Sequence, residues 1–199
     1  MNGLELAWNN IGNLDPHQVC SRAQVEFKED RYKVEFLKTS YLIIPDIREI
    51  RIESSPTVKV SFDLCLVLLN YLVCAQEIEL ANKWVSPKDL KGGDFFFSGT
   101  HNIENPSFWE IFNKFPDNLI EIGTRLGGKP IPYGDRAMSI FALPRIPIAY
   151  ILWIGDDEFP ARMTILLDST IELHLPLDII YALINITTKR LVEMAKIEK

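Results

Sequence analysis

The chain has 199 residues, of which 47% are hydrophobic and 24% charged, enough apolar material to bury a sizeable core within one domain. A net charge of −6 and a pI near 5.2 leave no cationic footprint for displacing counterions from DNA or RNA, which argues against nucleic acid as a partner. The three cysteines are odd in number, and Cys65 and Cys74 lie in an apolar stretch, which suits reduced thiols better than a disulfide framework.

The amino terminus carries acids and Asn instead of a basic region followed by an apolar run, so it does not read as a secretory signal. The longest apolar stretches, 64–75 and 146–154, fall short of the ~20 residues that a membrane helix needs. The expectation is a cytoplasmic protein without a membrane span.

Residues 4–20 have apolar positions at mixed spacing and read as a short helix or an irregular arm. Segments 23–27 and 32–36 alternate apolar and charged residues around Glu29-Asp30-Arg31, the pattern of a hairpin with one wet face. Strands at 41–44 and 47–52 follow, around Pro45-Asp46. From Phe62 to about Gln76 the chain is apolar nearly all round, which predicts a central buried helix started by Ser61 or Asp63.

Ser86-Pro87-Lys88-Asp89 predicts a short helical turn that ends at Gly92-Gly93, and Asn105-Pro106 opens a helical stretch to about Leu126 with a break near Pro116. Between Gly134 and Pro176 three apolar runs, 137–143, 148–154 and 163–167, are joined by short turns and predict an antiparallel meander. The central run lacks polar alternation, so both its faces should be covered, with Pro147 at its start. A helix from about Pro176 to Ala195 closes the chain.

The predicted fold class is α+β, mainly antiparallel sheet packed by helices, in a single compact domain over 1–199. Phe62-Asp63-Leu64 through Asn70 and Leu177-Asp178-Ile179 through Asn185 share Asp, Leu and Asn at equal spacing. Two related strand-helix halves, about 20–80 and 135–195, are therefore an expectation.

Chemistry-bearing residues are fewer than the motifs they imitate. Gly123-Thr124-Arg125-Leu126-Gly127-Gly128-Lys129-Pro130 nearly spells a phosphate-binding G-x-x-x-x-G-K-[ST], but Pro130 removes the hydroxyl, so a helix end followed by an extended connection is the stronger reading. His17 and Cys20 could share a helix face, yet a structural zinc needs four ligands and no second pair follows; no metal site is predicted. Asp156-Asp157-Glu158 reads as a solvated turn before it reads as a cation site. Phe95-Phe96-Phe97, Phe108-Trp109, Trp84 and Trp153 read as core.

His101 and His174 are the best general-base candidates, since imidazole titrates near neutral pH. Asp135 or Asp168 would serve as the acid of such a pair, and Arg136 and Arg145 could meet a phosphorylated or carboxylated metabolite. Arg136, Arg145, Asp135, Asp168 and His174 lie near predicted strand ends and form a candidate ligand-binding rim. The blander reading of Asp168 is a cap before Ser169-Thr170-Ile171-Glu172, and of each histidine a hydrogen-bonded structural group.

A set of short segments has a recognisable joint order: Trp84-Val85-Ser86-Pro87-Lys88-Asp89, Gly128-Lys129-Pro130-Ile131-Pro132-Tyr133-Gly134-Asp135, Leu143-Pro144-Arg145-Ile146-Pro147, Trp153-Ile154-Gly155-Asp156-Asp157 and His174-Leu175-Pro176. Together they resemble the family catalogued as domain of unknown function 3786, over roughly residues 15–195. The resemblance implies a protein of anaerobic bacteria or archaea, working beside iron–sulfur or corrinoid chemistry. No cysteine cluster is present, so the metal would belong to a partner. It carries no established activity, and it leaves the cofactor unknown. Three functions follow as expectations: a non-catalytic ligand- or partner-binding accessory domain, a small-metabolite enzyme using a His/Asp pair, and a structural homodimer.

Overall fold

The structure, a computed structural model, describes residues 3–98, 101–103, 106–155, 157–158 and 161–197. The early alternation of apolar and charged residues produces a four-stranded antiparallel sheet in the order β1 (Glu26–Lys28), β2 (Arg31–Phe36), β3 (Thr39–Ile44), β4 (Glu49–Ile52). Tyr32, Val34 and Phe36 of β2 are buried while Glu35 faces out, which is the period of two that a half-covered sheet requires. Its first two hairpins close through Glu29-Asp30 and Leu37-Lys38, all at positive φ, the backbone twist that a two-residue hairpin needs. A leucine there is costly in local terms. Leu37 accepts the conformation with its side chain buried and its N–H donated to the Ala142 carbonyl at 3.2 Å, which ties this hairpin to the second sheet.

That second sheet is five-stranded and antiparallel: β5 (Trp84–Val85), β9 (Arg162–Asp168), β8 (Ile146–Trp153), β7 (Arg136–Leu143) and β6 (Lys129–Pro130), in that spatial order. The three expected strands all form. β8 is buried from Ile146 to Leu152, as a run without polar alternation demands. Pro147 lies opposite Phe141, beside a register shift between Phe141 and Leu143, where a missing N–H is tolerated. Trp153 departs from the core expectation. It is 38% exposed at the strand end, and the Arg162 guanidinium lies 4.9 Å from its ring centroid. β5 and β6 escape the sequence pattern because two residues are too few to show a period.

Helices pack on these sheets. The opening segment is two helices, α1 (Gly3–Gly12) and α2 (Pro16–Ala23), broken where Asp15 accepts the His17 N–H and Pro16 starts the second. α3 (Phe62–Cys74) is capped by Ser61 and buries Leu64, Val67, Leu68, Leu69, Tyr71 and Leu72. Ser86 and Asp89 form a capping box around a 3-10 turn. The chain does not leave helix at Gly92-Gly93 as expected, because Gly92 takes a φ of 77° and α4 (Gly93–Phe96) begins at once. Consecutive helical residues point about 100° apart, so Phe97 beyond it is buried while Phe95 is exposed, against the core expectation.

α5 (Pro106–Lys114) and α6 (Asp117–Arg125) flank the predicted break at Pro116; Asn105, the expected cap, lies outside the described residues. α6 ends as its glycines imply. Gly128 donates to Gly123 and Gly127 to Thr124, a Schellman pattern with Gly127 at a φ of 78°. α7 (Ile171–His174) and α8 (Leu177–Ile197) close the chain. α8 packs beside α3 and reaches β8 through Tyr150, whose hydroxyl meets Thr188 at 3.0 Å. Among the described residues no helix is long and apolar enough to cross a membrane.

Gly128 is set tightly against the sheet: a Cβ there would stand 2.9 Å from the Ser139 carbonyl and 2.8 Å from Ile140. Gly128→Ala is expected to lift β6 from β7 and lower unfolding free energy by about 1–3 kcal/mol. Urea denaturation with hydrogen exchange at Lys129 checks it; unchanged stability would contradict the packing.

Candidate functional site

α2 and α3 both end at the turn joining β7 to β8, and Arg145 in that turn meets both. Its Nε donates to the Arg22 carbonyl at 2.6 Å, and its terminal nitrogens donate to Ser21 at 3.2 Å and Ile78 at 3.0 Å. A helix leaves its last carbonyls without intrahelical partners, and here those of α2 are accounted for one by one. Cys20 receives the amides of Gln24 and Val25, Ser21 and Arg22 receive Arg145, and Ala23 receives the Tyr71 hydroxyl at 2.8 Å. The positive guanidinium also suits the negative end of the helix dipole. Tyr71 in turn accepts the Arg145 N–H at 3.1 Å, and burial pushes its phenol far above the ordinary range.

Arg22 repeats the arrangement one helix on. Its guanidinium donates to the Val73 and Ala75 carbonyls at 3.2 and 3.1 Å, closing the end of α3. Beyond α3 runs an irregular strap, residues 75–83, which leads into β5. Arg145 holds Ile78, Ser21 donates to Glu77 at 2.6 Å, and the Ser169 N–H donates to Lys83 at 2.9 Å. Gln76, Glu77, Glu79 and Ala81 to Lys83 face outward.

Two further predicted site residues hold the same strap. Asp168, at the end of β9 and 3% exposed, accepts the Ala81 N–H at 3.1 Å and both the N–H and hydroxyl of Thr170, at 3.0 and 2.7 Å. Burial raises its pKa, but these donors, with the Asn82 amide, outweigh burial and hold the carboxyl below its usual value. The capping-box expectation at Ser169 to Glu172 shifts accordingly: Asp168 ties down the turn before α7, and Glu172 instead accepts the Lys91 N–H.

His174 in α7 is 1% exposed, and its Nδ1 accepts the Gln76 N–H at 3.2 Å. The neutral ring therefore carries its proton on Nε2, an atom with no hydrogen-bond partner among the described residues. Burial first, then the Arg145 charge, lower its pKa, partly offset by Asp168.

The predicted rim is thus divided. Arg145, Asp168 and His174 gather around the strap, while Asp135 and Arg136 lie at the opposite end of the β7–β8 hairpin. There Asp135 accepts the Ile154 N–H at 2.7 Å, and the Arg136 Nε donates to Asp117 at 2.6 Å. His101 stands apart, stacked on Phe96 at 4.4 Å and edge-on to Tyr181. No hydrogen bond joins either histidine to a carboxylate among the described residues. Asp156 of the acidic turn lies outside those residues.

Sequence reasoning missed Arg22 and Tyr71. Their only local signals were a cation in the last turn of α2 and a polar tip on an otherwise apolar α3.

Two clefts open nearby. One, of about 420 Å³, separates the wet face of β2 from the end of α6 and the β7–β8 turn, with Lys33, Lys38, Glu26 and Glu35 in its walls. The other, of about 390 Å³, lies between β3, the start of α3 and the second half of α8. No group of three or more His, Cys, Asp or Glu is placed to hold a metal ion among the described residues.

Residues 15–190 match the model of the family described as Domain of unknown function (DUF3786). The chain belongs to this family. No curated protein and no solved structure gives a match. The span that matches DUF3786 starts at Asp15, the cap of α2, and so takes in both sheets, the Arg22–Arg145 pair and the strap, and leaves α1 outside.

Arg145→Met should leave the carbonyls of Ser21, Arg22 and Ile78 unpaired. The expected loss is about 2–3 kcal/mol of stability, with faster amide exchange over 76–83, measured by urea denaturation and hydrogen exchange. The pH dependence has a definite sign. The folded pKa of His174 lies below the unfolded value near 6.5, so its contribution is full above that pH and declines as pH falls below it, with a slope of at most about 1.4 kcal/mol per unit. Asp168 contributes the same sign, but only as pH falls below about 4. His174→Asn keeps an acceptor for the Gln76 N–H and should flatten the slope between pH 6.5 and 5, measured by chemical denaturation; an unaltered slope would refute the assignment.

Proposed function

We propose that this chain is a non-catalytic binding protein whose strap, 75–83, is the surface presented to a partner. One observation carries the reading. The polar groups that the sequence marks as a reactive rim, half-buried Arg145 and buried Asp168 and His174, are committed to backbone groups of the strap and the helix ends. Acid–base work needs an imidazole that exchanges protons with substrate, whereas His174 is buried and uses Nδ1 to hold Gln76. What these groups achieve is a fixed irregular surface segment, and a segment ordered beforehand loses less freedom on binding.

The strap shows Glu77 and Glu79 to solvent, so a partner with a cationic face fits it. The partner we propose, on the family resemblance alone, is a protein of anaerobic iron–sulfur or corrinoid metabolism. Burial pushes the thiols of Cys20, Cys65 and Cys74 upward, and a thiol held protonated is a poor metal ligand. In this reading the metal resides on the partner.

Native mass spectrometry of the full chain purified without oxygen tests the proposal. The expected result is a complex of defined stoichiometry that Glu77→Lys with Glu79→Lys dissolves while the circular dichroism spectrum is unchanged. A metal bound stoichiometrically to the isolated chain, or a complex indifferent to the double charge reversal, would overturn it.

A further inference from the structure

The cleft of about 390 Å³ beside α8 falls at the small end of the range for ligand pockets, and its features converge on one kind of occupant. Its floor is apolar, made by Phe36, Leu37 and Leu64, all buried, with Ile186 beside them. Tyr41 stands in its wall with only 7% of its surface exposed, and its hydroxyl has no hydrogen-bond partner among the described residues. The hydroxyl oxygen itself still meets solvent, so it is open to a polar group that enters the cleft. Arg190 lines the same cleft close enough for its charge to act on the Tyr41 phenol, and forms no ion pair or hydrogen bond among the described residues. α3 also begins here. Ser61 accepts the Leu64 N–H, and the earlier amides of the first turn have no intrahelical acceptor, so the positive end of a thirteen-residue helix opens on the same space.

We propose that this cleft binds a small organic monocarboxylate, its carboxylate held by the Arg190 guanidinium and the Tyr41 hydroxyl and its apolar body lying on Phe36, Leu37, Leu64 and Ile186. The planar fork of an arginine matches a carboxylate. The rest of the lining limits the charge. Lys189 is engaged with Glu193 at 3.9 Å, and Asp63 and Glu193 set two carboxylates at the rim, which repel a dianion such as a phosphate monoester. One unengaged cation above an apolar floor selects a singly charged, amphiphilic ligand. This site is separate from the strap, so it stands or falls independently of partner binding there.

Titration of the isotope-labelled full chain with sodium hexanoate, followed by amide chemical shifts, tests the assignment, with inorganic phosphate and hexylamine as controls. Saturable shifts are expected at 39–41, 61–65 and 185–193 with hexanoate alone. Arg190→Gln should weaken binding at least about tenfold, the scale of a lost charge-assisted hydrogen bond. Tyr41→Phe should weaken it several-fold, and both variants should melt as the wild type does. The Glu77→Lys, Glu79→Lys chain should still bind hexanoate, which separates this site from the strap. No saturable shift in the cleft, shifts confined to the cleft beside β2 and α6, equal affinity for phosphate, or affinity unchanged by Arg190→Gln would each overturn the proposal.

Discussion

The guanidinium of Arg145 is the contact on which the arrangement of the other elements depends. A helix end cannot be covered by protein unless its carbonyls are answered, and α2 ends against the sheet turn that carries this residue. One side chain with several donors in a fixed fork meets Ser21, Arg22 and Ile78 together, and its own amide meets Tyr71. Arg22, whose carbonyl is held in this way, then uses its own guanidinium on Val73 and Ala75. The two arginines form a relay from the second sheet through α2 to α3, so the position of the strap follows from the β7–β8 turn.

Around that relay the electrostatics are arranged to keep each group in one protonation state. Asp168 is held ionised by donors that outweigh its burial, and His174 is held neutral by burial and by the arginine beside it. A buried carboxylate surrounded by amides and a buried neutral imidazole accepting one amide are both compatible with a strap that stays fixed at neutral pH. The same features that make the rim look reactive in a list of residue types, titratable groups close together at strand ends, here serve backbone satisfaction.

Much of the secondary structure could be read from the chain. The alternation in Arg31–Phe36, the unbroken apolar run Ile146–Trp153, the cap at Ser61, and the paired glycines after α6 each act over a few residues, and each produced the element it implied. The exceptions have physical causes. β5 and β6 are too short for periodicity, Gly92 joins two helical turns where a stop was expected, Trp153 faces solvent at the end of β8, and Phe95 faces solvent because the turn of α4 carries it away from the covered side. The candidate site was legible only in part. Arg145, Asp168 and His174 were named from residue type and strand-end position, and they do gather, but Asp135 and Arg136 were assigned to the same rim and lie at the other end of the hairpin.

Residue order and local chemistry were sufficient for the meanders, the two long helices and the class of fold, since hydrophobic period and capping are decided among near neighbours. They were silent on what Arg145 touches, because its partner Arg22 is 123 positions away, and on the meeting of Tyr41 with Arg190, which belong to a strand near one end of the chain and a helix at the other. Such contacts arise only when sheets and helices pack, and packing is what turned a row of polar residues into a clamp for one segment and left an unengaged arginine beside the Tyr41 hydroxyl.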